Sequence, residues 1–205
     1  MLSNAGRLLA LLVLTTPLSC ATLRFIDPDE PFELAPDEGI LLVHVASNVP
    51  LQSVHVSGAS RIRDLEAGHN QRLYAVSAGT YRWSRLVFGS KLRYQMFSHD
   101  YWRFRVEPGR INYPGTLMVR GPLVSFWTAD SYVFNLNRSA LSYKLLEENF
   151  SDLLDRYPIE YTGRGRDDFL SYYREAQRAL RAAEAPDEPG GVVAPETKSI
   201  PEEVP

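Results

Sequence analysis

Gly39-Ile40-Leu41-Leu42-Val43-His44-Val45-Ala46-Ser47 and Gly79-Thr80-Tyr81-Arg82-Trp83-Ser84-Arg85-Leu86-Val87-Phe88 are the stretches whose reading decides the fold. In the first, Leu41, Val43 and Val45 alternate with Leu42, His44 and Ala46. A period of two sends successive side chains to opposite faces of a strand, so this segment reads as β rather than α. In the second the apolar phase slips, from Tyr81 and Trp83 to Leu86 and Phe88. A one-residue slip would turn every later side chain to the wrong face, so a bulge is expected at Ser84-Arg85.

The same alternation recurs outward from these two stretches. Val54 and Val56 flank His55, and Trp102, Phe104 and Val106 alternate with Arg103, Arg105 and Glu107. Further strands are expected at Gln71 to Ser77, Lys91 to Phe97, Thr116 to Val119, Leu123 to Trp127 and Tyr132 to Leu136. Short strands at such spacing, with one wet face each, predict an antiparallel β-sandwich over residues 40–137. Tryptophans 83, 102 and 127 read as core. Glu107-Pro108-Gly109-Arg110 has Pro and Gly where a type II turn needs them, so Tyr101 to Val106 and Arg110 to Tyr113 are expected as a hairpin. Asn48-Val49-Pro50-Leu51 and Ala67-Gly68-His69-Asn70 read as loops.

The runs Leu65-Glu66-Ala67-Gly68, Ala78-Gly79-Thr80-Tyr81-Arg82-Trp83 and Phe104 to Tyr113 resemble those of bacterial lipoproteins that carry a transthyretin-like or carboxypeptidase-regulatory-like β-sandwich. The resemblance spans about residues 40 to 136. It implies a non-catalytic binding or spacer module and brings no catalytic residue with it.

After Arg138 the spacing of Leu141, Leu145, Phe150, Leu153 and Leu154 becomes helical, and Tyr157-Pro158 closes that helix. A loop is expected over residues 159–166, then a second helix from Asp167-Asp168 with the stripe Phe169, Tyr173, Ala176, Leu180 and Ala183. The two form an αα-hairpin over residues 138–184, and single-striped helices must cover an apolar partner, here the sheet. Residues 185–205, with prolines at 186, 189, 195, 201 and 205, five acids and one lysine, are expected to be a disordered tail.

At the other end, Met1 to Arg7 carries one basic residue and Leu8 to Leu18 is an uncharged run of 11 residues. That length suits a signal peptide over residues 1–19, since a spanning helix needs about 20 apolar residues. The run ends in Thr16-Pro17-Leu18-Ser19-Cys20, which resembles a bacterial lipobox and contains the only cysteine of the chain. The resemblance implies lipid attachment at Cys20, with palmitate-like acyl chains holding the protein in the bilayer. Ala21 after the cysteine, by resemblance to Gram-negative sorting, implies the outer membrane, facing the periplasm. The alternative is an ordinary secretory leader cut after Ala21, which discards Cys20 and leaves a soluble periplasmic or secreted protein. Residues 20–39, with six acids against Arg24 alone, read as an acidic spacer, with an edge strand at Leu23 to Ile26.

Composition excludes several classes of function. Hydrophobic residues at 44% and charged residues at 23% of 205 are globular proportions and exclude collagen and a polytopic membrane protein. A net charge of −3 gives no global attraction to nucleic acid. One cysteine removes intramolecular disulfides and cysteine-rich zinc sites.

Site chemistry is sparse. Ser98-His99-Asp100 has the residue types of a triad, but neighbours in sequence cannot converge as a triad must. His44 and His55, across a hairpin of even register, would face one another with Cβ atoms about 5 Å apart, yet zinc wants three or four ligands and no third is evident. Asp64, Glu66 and Glu107 are the candidate carboxylate pairs for glycoside hydrolysis. No Gly-rich phosphate loop and no HExxH is present, so no cofactor, no metal and no catalytic residue is expected. Between Gly39 and Asn137, by contrast, eleven Arg and Lys face five acids. Arginines alternating with buried aromatics describe a basic sheet face suited to lipid headgroups, anionic glycans or an acidic protein. The expectation is therefore a membrane-anchored envelope lipoprotein, an interaction or structural module with an envelope protein as partner. The alternative is a periplasmic enzyme acting on an envelope polymer.

Overall fold

The computed structural model describes residues 21–89, 92–97, 100–121 and 131–184. The leader with Cys20, Ser98 and His99, the strand expected at 123–127 with Trp127, and the tail from residue 185 lie outside the described residues. The chain divides into two units, one ending at Asp167 and one beginning at Asp168.

The first unit is mostly β. In chain order come β1 (Arg24–Phe25), β2 (Glu38–Ser47), β3 (Leu51–Ser57), β4 (Arg61–Leu65), β5 (Gly68–Ser77), β6 (Gly79–Phe88) and β7 (Leu92–Gln95). A 3₁₀ turn at Asp100–Trp102 leads to β8 (Arg103–Val106), β9 (Ile111–Tyr113), β10 (Thr116–Arg120) and β11 (Tyr132–Leu136). Then follow α1 (Ser139–Asn149), α2 (Ser151–Arg156) and β12 (Ile159–Tyr161). Sheet A runs β1-β5-β2-β10-β11, with β9 beside β2 and β12 beside β9. Sheet B runs β4-β3-β6-β7, with β8 also on β6. Sheet B is antiparallel throughout; sheet A is mixed, since β2 pairs parallel with β9 and β10, and β9 with β12.

The core between the sheets is made by the faces that the period of two identifies. Leu41, Val43 and Val45 of β2 and Leu117 and Val119 of β10 share one buried cluster with Val54 and Val56 of β3, Trp83 and Leu86 of β6, and Phe104 and Val106 of β8. Trp83 and Trp102 belong to it, as expected. The other side of β2 is buried as well: Ile40, Leu42 and His44 are at most 1% exposed. Over that side lies α1, whose Ser142 reaches His44. A strand buried on both faces reads as a near-continuous apolar run, which is why the alternation around His44 is of size and polarity rather than of wet and dry.

Four connections differ from the expectation. Gly68, His69 and Asn70, expected in a loop, open β5 and pair with Ser47, Ala46 and Val45 of β2. Glu107 to Arg110 does turn, with Gly109 at φ +65°, but it is a crossing and not a hairpin: β8 pairs with β6 in sheet B and β9 with β2 in sheet A. Buried Asn112 pins that crossing, donating to the carbonyls of Ile40, Glu107 and Arg110 while its Oδ1 accepts from the Glu107 N–H. Gly39 sits so close that a Cβ there would stand 2.2 Å from the Glu107 carbonyl oxygen. Residues 48–50 likewise cross from sheet A to sheet B, so β2 and β3 are not hairpin partners. The loop expected at 159–166 begins with β12, which borrows the hydrogen-bonding edge of β9; three residues are too few for a period to show. The expected bulge is present. His55 pairs with Arg85 and Val56 with Trp83, leaving Ser84 as the extra residue.

Residues 21–38 lie against the domain. The Ala21 N–H donates to the Gly58 carbonyl over 3.2 Å, in the turn between β3 and β4. β1 pairs with β5, Ile26 is 1% exposed, and Arg24 and Glu38 form an ion pair at 2.7 Å. In the second unit, α3 (Asp168–Glu184) departs from the expected stripe: Phe169 and Leu180 are 37% and 58% exposed, Leu170 is buried instead, and the Phe169 and Tyr173 rings stack at 5.7 Å. No helix of the described residues is long and apolar enough to cross a membrane.

Candidate anion-binding face

Two polar groupings stand out, one buried and one open. The buried one centres on His44. Thr116 Oγ1 and Ser142 Oγ lie 2.9 and 3.0 Å from its Nδ1, and His69 Nδ1 lies 3.0 Å from its Nε2. The Arg138 N–H donates to the Tyr113 hydroxyl, which lies 2.8 Å from Thr116 Oγ1. One direction satisfies the chain: Tyr113 donates to Thr116, Thr116 to His44 Nδ1, and His44 Nε2–H to His69. Burial first, then the charges of His69 and Arg138, push the His44 pKa down from 6.5 to about 4. The imidazole is thus neutral at neutral pH, and it joins β2, β10 and α1 by hydrogen bonds. Ser142 and His44 are both 0% exposed, so the pair fastens the helix to sheet A and offers no open nucleophile.

The open grouping lies on the outer face of sheet B. Inward Val54, Trp83 and Leu86 send His55, Arg82 and Arg85 outward, and inward Ile62 does the same for Arg61 and Arg63 on β4. Cross-strand register aligns them. Arg61 stands opposite His55 and His55 opposite Arg85; one step along, Arg63 faces Ser53, Ser53 faces Val87 and Val87 faces Arg93. Together with Gln52 and Asp64 these residues line a concave depression of about 510 Å³. Arg82, opposite Ser57, extends the face toward the turn at Gly58, and Arg103 and Arg105 of β8 continue it.

Arg85 is held in place. Its guanidinium donates to His55 Nδ1 over 3.1 Å, and His55 Nε2 meets Ser53 Oγ at 3.1 Å. Burial, and then the guanidiniums of Arg85, Arg61 and Arg93, lower the His55 pKa below its ordinary value, which keeps Nδ1 free to accept. The bulge at Ser84 supports this pair, because Ser84 Oγ donates to the His55 carbonyl at 3.1 Å. Arg85 Nε is buried without a hydrogen-bond partner among the described residues, as is Arg82 Nε.

Charge on this face is compensated only at its β8 end among the described residues. Arg103 pairs with Asp100 at 3.1 Å and Arg105 approaches Glu107 at 3.9 Å. Arg61, Arg63, Arg82, Arg85 and Arg93 have no carboxylate within 4.0 Å among the described residues. Other basic residues are engaged elsewhere: Arg72 donates to the carbonyls of Arg63 and Asp64, and Arg110 pairs with Glu107 and Glu160.

The remaining expected site residues do not converge. His44 and His55 belong to different sheets, so the facing pair expected of them is replaced by His44–His69 and His55–Arg85. Both substitutes were hidden from sequence reasoning by the sheet crossing after Ser47. Asp64 lines the arginine depression, whereas Glu107 sits at the β8–β9 crossing between Arg105 and Arg110. Among the described residues, no three of His, Cys, Asp and Glu are grouped to hold a metal ion.

Comparison with known protein families, with curated proteins and with solved structures gives no match to this chain. The functional reading therefore rests on the chain's own chemistry.

Proposed function

We propose that this protein is an acylated envelope lipoprotein whose β-sandwich is a non-catalytic interaction module for an anionic partner. The observation that carries the reading is the set of five guanidiniums on sheet B, at Arg61, Arg63, Arg82, Arg85 and Arg93, without a carboxylate partner among the described residues. Like charges crowded on one face repel one another, and an anion that neutralises them recovers that energy. The planar guanidinium fork suits phosphate and carboxylate oxygens, and its bidentate geometry adds specificity to charge. Anchoring is supported by the 11-residue apolar run before Ser19-Cys20, the only cysteine. Several acyl chains, at about 0.8 kcal/mol per buried CH₂, would hold a globular domain firmly.

The enzymatic alternative needs a nucleophile or an acid–base pair in a reachable cleft. The best-placed candidates, Ser142 and His44, are both 0% exposed.

Mass spectrometry of the mature protein, together with fractionation of cells carrying Cys20→Ala, tests the anchor. The reading requires a chain that begins at an acylated Cys20 and a variant that leaves the membrane fraction. A mature chain beginning at Thr22 without lipid would overturn it in favour of a soluble exported protein.

A further inference from the structure

We infer that the arginine face of sheet B is seated on the anionic headgroup surface of the bilayer that holds the anchor. This inference rests on lipid attachment at Cys20.

The tether between anchor and domain is short. Cys20 immediately precedes Ala21, and the Ala21 N–H is hydrogen-bonded to the Gly58 carbonyl at 3.2 Å. Ala21 and Leu23 also pack against the sandwich core, and β1 then pairs with β5. No free linker therefore separates an acylated Cys20 from the folded domain. One residue spans at most about 3.6 Å, which keeps the acylated sulfur within about 10 Å of the β3–β4 turn. An acidic stretch that reads as a spacer is thus used up along the domain's own edge.

Arginines flank that turn. Arg61 opens β4 directly after it, and Arg82 stands opposite Ser57, the last residue of β3 before it. From there the face continues to Arg85, Arg63 and Arg93. With strands about 4.8 Å apart and residues about 3.3 Å apart along each, the five guanidiniums cover a footprint of roughly 14 by 13 Å. The near edge of that footprint lies about one Debye length from the headgroups at physiological salt, so its charges are felt there, though weakened by screening.

The charge of the face complements an anionic leaflet. Five arginines face outward, and among the described residues Asp64 is the only acid lining the depression. An anionic leaflet strengthens binding by about fivefold for each basic residue brought to its surface. An acidic protein or a soluble glycan would meet the same charges, but only the bilayer is brought to the turn by the chain's own covalent attachment.

The test uses the full chain carrying Cys20→Ala, so that no acyl anchor contributes, mixed with vesicles of phosphatidylcholine alone or of phosphatidylcholine with phosphatidylglycerol. The leader with its Arg7 is common to the wild-type face and to the arginine variant below, so comparing those two on the anionic vesicles cancels the leader's share. The expected result is stronger sedimentation with the anionic vesicles, lost at high salt. Replacing the exposed Arg61, Arg63 and Arg93 together by Ala should weaken it by about a hundredfold, with the urea midpoint unchanged. Equal binding to both vesicle types would overturn the inference, as would an anionic preference that the triple variant retains. Failure of the anchor reading shows separately, in the mature mass and the fractionation of Cys20→Ala cells.

Discussion

His44 shows how far one buried side chain can set the stability of such a domain. Its pKa falls from 6.5 to about 4 on folding, so the unfolded chain binds the proton that the folded chain refuses. Stability attributable to His44 is present in full above pH 6.5 and falls as pH drops from there toward 4. At about 1.4 kcal/mol per pH unit, the loss over that window is about 3 kcal/mol. Urea unfolding at a series of pH values should show this slope, and His44→Gln, which cannot titrate, should remove its share. A wild-type slope left unchanged in the variant would assign the acid sensitivity to other groups. Gly39 and Asn112 act at the same scale without titrating, and neither residue announces its role in the sequence. The glycine makes room for the Glu107 carbonyl, and the asparagine ties three carbonyls at the crossing.

Strands and turns were legible where the chemistry is local. Alternation located β2, β3, β6 and β8, and the phase slip in residues 81–88 located the bulge, because both depend only on near neighbours along the chain. Which strand lies beside which was not legible. Pro108-Gly109 specifies a turn equally well in a hairpin and in a passage between sheets, and β12 has no period to read. The arginine face was legible as a polar face. Its depression was not, since that depends on the order β4-β3-β6-β7. The bulge carries its own expectation. Removing Ser84 restores strict alternation between Trp83 and Arg85 and direct pairing with Val56 and His55. The deletion variant should therefore fold, losing about 1–2 kcal/mol for the hydrogen bonds of Ser84 to His55 and Met96. Deleting Val54 on the unbulged partner strand flips the residues beyond it and should leave no folded protein. Circular dichroism and denaturation of the two deletions separate these outcomes.

Across residues 21–167, helix, sheet A and sheet B share buried surface through β2, which touches a different layer with each face. Leu146 of α1 is 1% exposed, and Trp83 lies 0% exposed between the sheets. If the layers unfold together, Leu146→Ala should shift the single transition seen by tryptophan fluorescence, costing about 2–4 kcal/mol. A shift in far-ultraviolet helicity alone, with the fluorescence transition unmoved, would show that α1 and α2 melt independently.

The central place of β2 also has a consequence for how the chain is made. Its partners arrive late: β5 begins at Gly68, β9 at Ile111 and β10 at Thr116. A polypeptide delivered from its N-terminus therefore exposes the run Ile40 to Ala46, its most apolar strand, long before any neighbour exists to cover it. Pairings this distant close slowly, because loop entropy must be overcome before the contacts form. The newborn chain thus passes through a vulnerable interval in which β2 is a bare strand open to mispairing with another copy, and a holding chaperone would find its natural target there.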